Sequence, residues 1–305
     1  MKIIIAGGTG FIGTALINDL TASGHHVTLL TRNPQRVQRH SSGLLDAEQW
    51  DGATIGAWSQ RLDGADAVIN LTGESIGGKR WSSKQKELLT TSRLNATNAI
   101  VEAISRAVKK PEVLISASAV GYYGNVVDGD VTEDFPSGGD FLATLCKRWE
   151  ESAMAARKFG VRVVTPRIGV VLDRDGGALK KMLLPFSLFA GGPLGSGKQW
   201  FPWVHRDDVV SVVRFALSER ALSGPVNVAA PEYVNMKQFC AALGKVMRRP
   251  SWAPVPSFVL QMMLGEMSTI VLTGQKVVPQ KLLQMKFQFK YPSLVLALQS
   301  IFQKG

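Results

Sequence analysis

The chain opens Met1-Lys2-Ile3-Ile4-Ile5-Ala6-Gly7-Gly8-Thr9-Gly10-Phe11-Ile12-Gly13, an apolar strand that runs into a glycine turn and out into a helix. Few features constrain a fold as tightly. Gly8, Gly10 and Gly13 fit the spacing GxGxxG, and Gly7 adds a second reading as GxxGxxG. In such a turn the first glycines permit a sharp reversal and the middle one lets a pyrophosphate approach the backbone. The last lets the helix pack close to the strand. Free N–H groups and the helix dipole near Phe11 then favour an anion. The context of strand, turn and helix predicts a dinucleotide-binding βαβ unit.

The next strand, at 26–31, ends in Thr31-Arg32-Asn33-Pro34-Gln35-Arg36. A protein that binds NAD usually places an acidic side chain here to accept the ribose hydroxyls. This chain has none. Thr31 and Arg32 hold the position, with Arg36 close behind. A guanidinium matches a phosphate in charge and shape and offers no acceptor to a hydroxyl, so the expected cofactor is NADP(H).

Short apolar runs at 3–6, 27–31, 67–71, 113–117 and 161–167 read as strands. Helical patterns near 11–23, 82–108 and 141–158 lie between them, with Ser82 or Ser83 as a cap for the long one. Such alternation predicts an α/β protein: a Rossmann doubly wound parallel sheet with helices on both faces. After Arg167 the texture turns loop-rich, with Gly, Pro and Trp where a small-molecule pocket forms. A helix near 207–218, with Asp207 and Asp208 as its caps, leads to a strand at 226–229. Pro250, Pro254 and Pro256 then introduce a small, mostly helical C-terminal domain. The expected division is 1–248 and 249–305.

Bulk properties exclude more than they assign. The 305 residues are 45% hydrophobic and 19% charged, as in an ordinary globular protein. Cys146 and Cys240 fit neither a metal spacing nor a disulfide framework, which points to a reducing, cytoplasmic setting and no metal site. The stretch 258–272 is interrupted by Gln261 and Glu266, is too short to span a bilayer, and reads as a packed helix; no membrane partner is expected. The net charge of +11 is dispersed, with no basic run longer than two residues. No nucleic-acid partner is expected; attraction for an anionic cofactor accounts for the charge.

Together these pieces resemble the extended short-chain dehydrogenase/reductase family, in its epimerase-like branch. The resemblance covers nearly the whole chain. It rests on the glycine turn, Thr31-Arg32, Asn70-Leu71-Thr72-Gly73-Glu74, Lys79-Arg80-Trp81, Ser92-Arg93, Gly121-Tyr122-Tyr123-Gly124, Trp149-Glu150, Gly195-Ser196-Gly197-Lys198-Gln199 and Trp203-Val204-His205. The tail resembles the small C-terminal domain of unknown function found in that branch. The resemblance implies that Gly7, Gly10, Phe11 and Ile12, with Thr9 beside them, hold the pyrophosphate. It implies Thr31 and Arg32 for the adenosine phosphate, and Leu71 and Thr72 along the cofactor. Arg93 would reach the cofactor from the other side, Val170 would lie beside the nicotinamide, and two copies would pair as a homodimer.

Catalytic members of that family use a Ser or Thr after the fifth strand and a Tyr-x-x-x-Lys pair on one helical face. A phenol of pKa near 10 needs nearby positive charge to act as a base at neutral pH. Ser118 stands in the serine position. The tyrosine is missing: by position Ala143 replaces it, with Lys147 in the lysine place. The one formal match, Tyr233-x-x-x-Lys237, lies more than 100 residues beyond Ser118 and reads as a coincidence. Either Tyr122 or Tyr123 supplies a phenol from the loop after the fifth strand, assisted by Lys147 or His205, or the usual proton transfer is lost. Glu74 and Glu150 are pocket or surface residues. The expected activity is NADP(H)-dependent oxidation–reduction or epimerisation of a small polar molecule. The alternative is a non-catalytic NADP(H) sensor.

Overall fold

The computed structural model describes residues 1–37 and 43–303; residues 304 and 305 of the expected tail lie outside them. In chain order the strands are β1 Lys2–Ala6, β2 His26–Thr31, β3 Leu45–Gln49, β4 Ala67–Asn70, β5 Val113–Ser116, β6 Ser118–Ala119, β7 Asp130–Val131, β8 Arg162–Ile168, β9 Val170–Leu172, β10 Trp203–His205, β11 Gly224–Val228 and β12 Lys276–Val277. Eight of them form one parallel sheet in the order β3-β2-β1-β4-β5-β8-β11, with β6 paired to β8. The order reverses between β1 and β4, and in such sheets ligands bind at that switch point, off the carboxyl ends of the strands.

The helices are α1 Phe11–Ala22, α2 Ser83–Arg106, α3 Phe141–Met154, α4 Gly177–Ser187, α5 Arg206–Ser218, α6 Met236–Met247, α7 Ser257–Leu264, α8 Thr269–Leu272, α9 Gln280–Gln284 and α10 Leu294–Gln303. Alternate strand residues feed two cores, as the two-residue period of a strand requires. Ile3, Ile5, Ala67, Ile69, Val113 and Ile115 pack with α1 and α5. Ile4, Ala6, Val68, Leu114 and Val163 pack with α2 and the end of α3. Burial on both faces explains why these strands read as continuous apolar runs. The expected doubly wound α/β architecture is the one observed.

One strand is unexpected and two expectations change. β3 has no apolar run and no fully buried residue: among the described residues it is an edge strand bonded only to β2, so its sequence carries little signal. The stretch 258–272 is not one packed helix. Gly265 adopts φ +60 and separates α7 from α8, and α7 buries only Leu260. The start of α5 is capped by His205, whose Nδ1 accepts from Asp207 N–H at 3.0 Å. Asp208 instead accepts from the N–H groups of Lys290 (2.6 Å) and Tyr291 (3.1 Å) and ties the tail to α5. The tail shares its apolar contacts with the sheet layers: Leu282 joins the α1–α5 core, and Leu294, Leu298 and Ile301 pack with α4 and α6.

Candidate functional site

The turn between β1 and α1 shows why glycine is needed there. Gly7 has φ +76, and a Cβ on it would stand 2.6 Å from the Leu71 carbonyl carbon. A Cβ on Gly13 would stand 2.5 Å from Gly8 Cα, so helix and turn touch backbone to backbone. A Cβ on Gly10, by contrast, would meet only the Gly7 oxygen, and this residue begins α1 without a side-chain cap. The first-turn N–H groups of α1 are thus left for an anion.

A groove of about 460 Å³ opens over this turn. Gly7, Thr9, Gly10, Thr31, Arg32, Leu71 and Thr72 all line it, as do Glu74 and Asp51. Asp51, two residues past the end of β3, is used by its own turn: it accepts from Ala53 N–H, Thr54 N–H and the Thr54 hydroxyl. The Thr72 hydroxyl is buried with no partner, an orphan that a ligand group would satisfy. Glycines that admit a close approach, an uncapped helix start and this hydroxyl fit a dinucleotide. The Phe11 ring is turned away from the groove, packing on Gly176 and Gly177 and lying 5.3 Å beneath Arg206.

A second cavity, about 300 Å³, lies beyond β8 and is walled by α3, the segment 199–202 and the segment 269–275. Its lining is mainly apolar, with Leu142, Leu145, Trp149, Trp200 and Phe201 prominent, and includes Val170. Arg93 stands at the boundary of the two hollows. It lines the second cavity, while its guanidinium abuts Gly73 and donates to the carbonyls of Glu74 and Leu89, each at 2.9 Å. It is only 8% exposed and lies 5.1 Å over the Trp149 ring. Burial pulls its pKa below the ordinary arginine value; a cation held this way gains from an anion placed beside it.

The register of α3 differs from the expected one. Ala143 is buried in the core and Lys147 is exposed; the residues that face the cavity are Leu142, Leu145, Cys146 and Trp149. Two pairs spaced by four therefore do meet the cavity, Leu142 with Cys146 and Leu145 with Trp149, and neither contains a phenol or an ammonium. Burial pushes the Cys146 thiol up to about 12.

Ser118, Tyr122, Tyr123 and Lys147 contribute nothing to the cavity wall. Three of them belong instead to a buried polar chain behind it. The Ser118 hydroxyl donates to Glu150 Oε1 at 2.6 Å. Arg167 holds the same carboxylate with two N–H groups, each at 2.8 Å. Arg167 Nη1 also donates to the Tyr123 hydroxyl (2.9 Å), which donates in turn to Asn227 Oδ1 (2.5 Å). The Arg167 guanidinium lies 3.5 Å from the Tyr122 ring centroid. Glu150 is therefore neither a pocket wall nor a surface residue, and Tyr123 is closed off from the cavity. Tyr233 lies 4.9 Å beneath the Lys276 ammonium, outside the cavity lining. His205 is buried against Tyr291, with its Nε2 at 3.3 Å from Ser300 Oγ.

The correct register was available before the structure. Leu142, Leu145, Cys146 and Trp149 are spaced i, i+3, i+4, i+7, the apolar stripe of a helix facing a core; Ala143 and Lys147 are off it.

Comparison with known proteins places these features in company. Residues 3–229 match the model of the NAD dependent epimerase/dehydratase family, and residues 255–301 match a domain of unknown function, DUF1731. The chain is 43% identical to "Epimerase family protein SDR39U1 homolog, chloroplastic" of Arabidopsis thaliana, over 99% of this chain and 87% of that protein. It is 41% identical to epimerase family protein YfhF of Bacillus subtilis, over 99% and 98% of the two chains. The crystal structure of human epimerase family protein SDR39U1 with NADPH superposes with a TM-score of 0.89 at 34% identity, covering all of both chains.

Proposed function

Because the chain belongs to the NAD dependent epimerase/dehydratase family, we propose that it binds NADP(H) in the groove over Gly7–Gly13 and exchanges hydride with a small molecule in the adjoining cavity. The observation that carries the cofactor is the end of β2, where Thr31 and Arg32 border the groove and residues 31–36 supply no carboxylate, while Asp51 across the groove is tied up in its own turn. The human relative crystallised with NADPH supports the same reading. Gly7, Thr9 and Gly10, with the N–H groups of Phe11 and Ile12, would hold the pyrophosphate. Thr31 and Arg32 would hold the adenosine phosphate, and Leu71 and Thr72 would line the cofactor. Arg93 would add positive charge from the far side, and Val170 would border the nicotinamide. When bound, NADPH supplies a hydride. Given the lining of the cavity, the substrate is largely apolar rather than the small polar molecule expected. The division between the NADP(H)-binding part and the tail lies near residue 248, between the two matched stretches.

A second reading has its own support. With Leu142 and Cys146 facing the cavity, the phenol and ammonium of the usual proton relay have no counterpart on α3. This favours a non-catalytic protein whose conformation reports the NADP(H) state.

Calorimetric titration with NADPH and NADH tests the cofactor. NADPH should bind selectively, and Arg32→Ala should weaken it by about tenfold to a hundredfold, the value of a charge-assisted contact worth about 1.5–3 kcal/mol. NADH binding should be unchanged. Equal affinity for both cofactors, or an indifferent Arg32→Ala, overturns the reading. Oxidation of NADPH by a panel of apolar carbonyl compounds then separates enzyme from sensor. Hydrogen-exchange protection of residues 257–272 on NADPH binding, without oxidation, carries the sensor.

A further inference from the structure

We propose that the face formed by the end of α4, the segment around Trp252 and α7 is a docking surface for an anionic lipid bilayer. No membrane partner is expected from the sequence, and among the described residues no helix is long and apolar enough to cross one. The inference is of peripheral contact.

Large apolar side chains are concentrated on three neighbouring pieces of chain. Leu184, Leu188 and Phe189 end α4, Trp252 follows α6, and Phe258, Met262 and Met263 lie on α7; each is 54–70% exposed. Leu184 with Leu188, and Phe258 with Met262, are spaced by four and so share a helical face. The pieces are held together. Trp252 Nε1 donates to the Phe189 carbonyl at 3.0 Å, and Ala253 N–H and Val255 N–H donate to the carbonyls of Gly191 and Pro193. Scattered exposed apolar residues need no explanation, whereas a contiguous set marks a contact site.

The charge around this face has one sign. No acidic residue occurs between Asp175 and Asp207, or between Glu232 and Glu266. The same stretches carry Lys180, Lys181, Lys245, Arg248 and Arg249, and the Arg249 guanidinium lies 4.4 Å from the Phe189 ring centroid. Glu266 at the far edge is paired with Lys86. An apolar face whose own segments carry cations, and whose one edge carboxylate is paired, complements an anionic headgroup layer over hydrocarbon. The Trp252 N–H is already satisfied, so its ring can enter an apolar phase without stranding a donor.

The cavity is close to this face: Thr269, Ile270 and Val271 of α8, separated from α7 only by Gly265–Ser268, form part of its wall. Docking would set the cavity beside the bilayer, from which an apolar substrate could enter. That last step rests on the hydride-exchange reading; lipid binding does not, and it can be measured without cofactor or turnover.

Co-sedimentation of the full chain with phosphatidylcholine vesicles, with and without phosphatidylglycerol, tests the proposal. Binding should be at least about tenfold stronger with phosphatidylglycerol and should weaken in high salt. The double variants Phe258→Ser/Met262→Ser and Lys180→Glu/Lys245→Glu should each lose about tenfold or more, because both terms are needed. The altered side chains are exposed, so NADPH affinity and the thermal midpoint, measured in parallel, should not move. Absence of vesicle binding, or equal binding by the apolar variant, overturns the proposal. So does a concentration-dependent self-association that Phe258→Ser/Met262→Ser abolishes, which would give the face to a protein partner.

Discussion

Tyr123→Phe is the perturbation whose consequences follow most directly from the geometry. The hydroxyl donates to Asn227 Oδ1 and accepts from Arg167 Nη1, and the residue is 1% exposed. Arg167 Nη1 keeps a second acceptor, the Glu133 carbonyl at 3.0 Å. Asn227 Oδ1 loses the phenol as its donor. One buried acceptor left unsatisfied costs about 1–3 kcal/mol, so the variant should be less stable by that amount near neutral pH. At alkaline pH the difference should shrink. Burial pushes the phenol from 10.0 up to about 12. The folded state therefore holds the proton more tightly than the unfolded chain. The stability this contributes is fully present below the unfolded value and is lost as pH rises through the folded one. A raise of this size is worth about 2–3 kcal/mol at about 1.4 kcal/mol per pH unit. Phenylalanine has no such proton, and other alkaline groups titrate in both proteins, so they cancel in the difference. Urea unfolding followed by tryptophan fluorescence, from about pH 8 to about pH 12, should show the gap between wild type and variant closing by about 2–3 kcal/mol. A gap that stays constant across that range, or is absent at its lower end, refutes the placement of this hydroxyl. NADPH binding should be unaffected, since Tyr123 is walled off from both hollows.

Two further predictions concern the site itself. Gly13→Ala would place a methyl 2.5 Å from Gly8 Cα and 2.7 Å from the Gly7 oxygen; spreading this turn should cost about 1–3 kcal/mol by urea unfolding and weaken NADPH in calorimetry. Cys146 and Cys240 are both buried, with thiols pushed up to about 12. Native protein should therefore react with iodoacetamide far more slowly than unfolded protein, and labelling of Cys146 at the rate of a free thiol would contradict its burial.

The layers of this fold were legible because a doubly wound sheet buries its strands on both faces, and runs such as Ile3-Ile4-Ile5 and Val113-Leu114-Ile115 advertise that burial. β3 was not legible, for the opposite reason: Asp46, Glu48 and Gln49 lie on an edge where half-exposure is allowed. The glycine turn could be read from its sequence, since Gly7 and Gly13 answer steric demands that no other residue meets. The region after Gly169 could not be read so. Its cavity is assembled from α3, residues 199–202 and residues 269–275, and no local rule says which distant segments will meet. The polar chain from Ser118 to Asn227 was hidden for the same reason. Its members come from β6, α3, β8, β11 and the loop after β6, and each alone looks like an ordinary polar residue.

The same polar chain bears on what chemistry the cavity can support. Reduction of a carbonyl consumes a proton as well as a hydride, and an efficient acid has a pKa near the working pH. At α3 the cavity meets Asp140, whose Oδ1 is engaged as the helix cap by the Ala143 N–H, Leu142, which has no proton to give, and Cys146, whose thiol near 12 is a weak acid. Arg93 does not release its proton. Ser118 and Tyr123 already donate inward, to Glu150 and Asn227, and both lie outside the cavity wall. On the hydride-exchange reading, the favoured substrates are therefore those that demand least of a local acid. Conjugated acceptors such as enones and quinones fit, because hydride addition leaves a charge that is delocalised and can be neutralised by water. Their planar, apolar bodies also suit a cavity walled by Trp149, Trp200 and Phe201. A preference for simple aliphatic ketones over conjugated acceptors, in the NADPH oxidation panel, would show that a group in the cavity does act as an acid and would reopen Asp140 and Cys146 as its source.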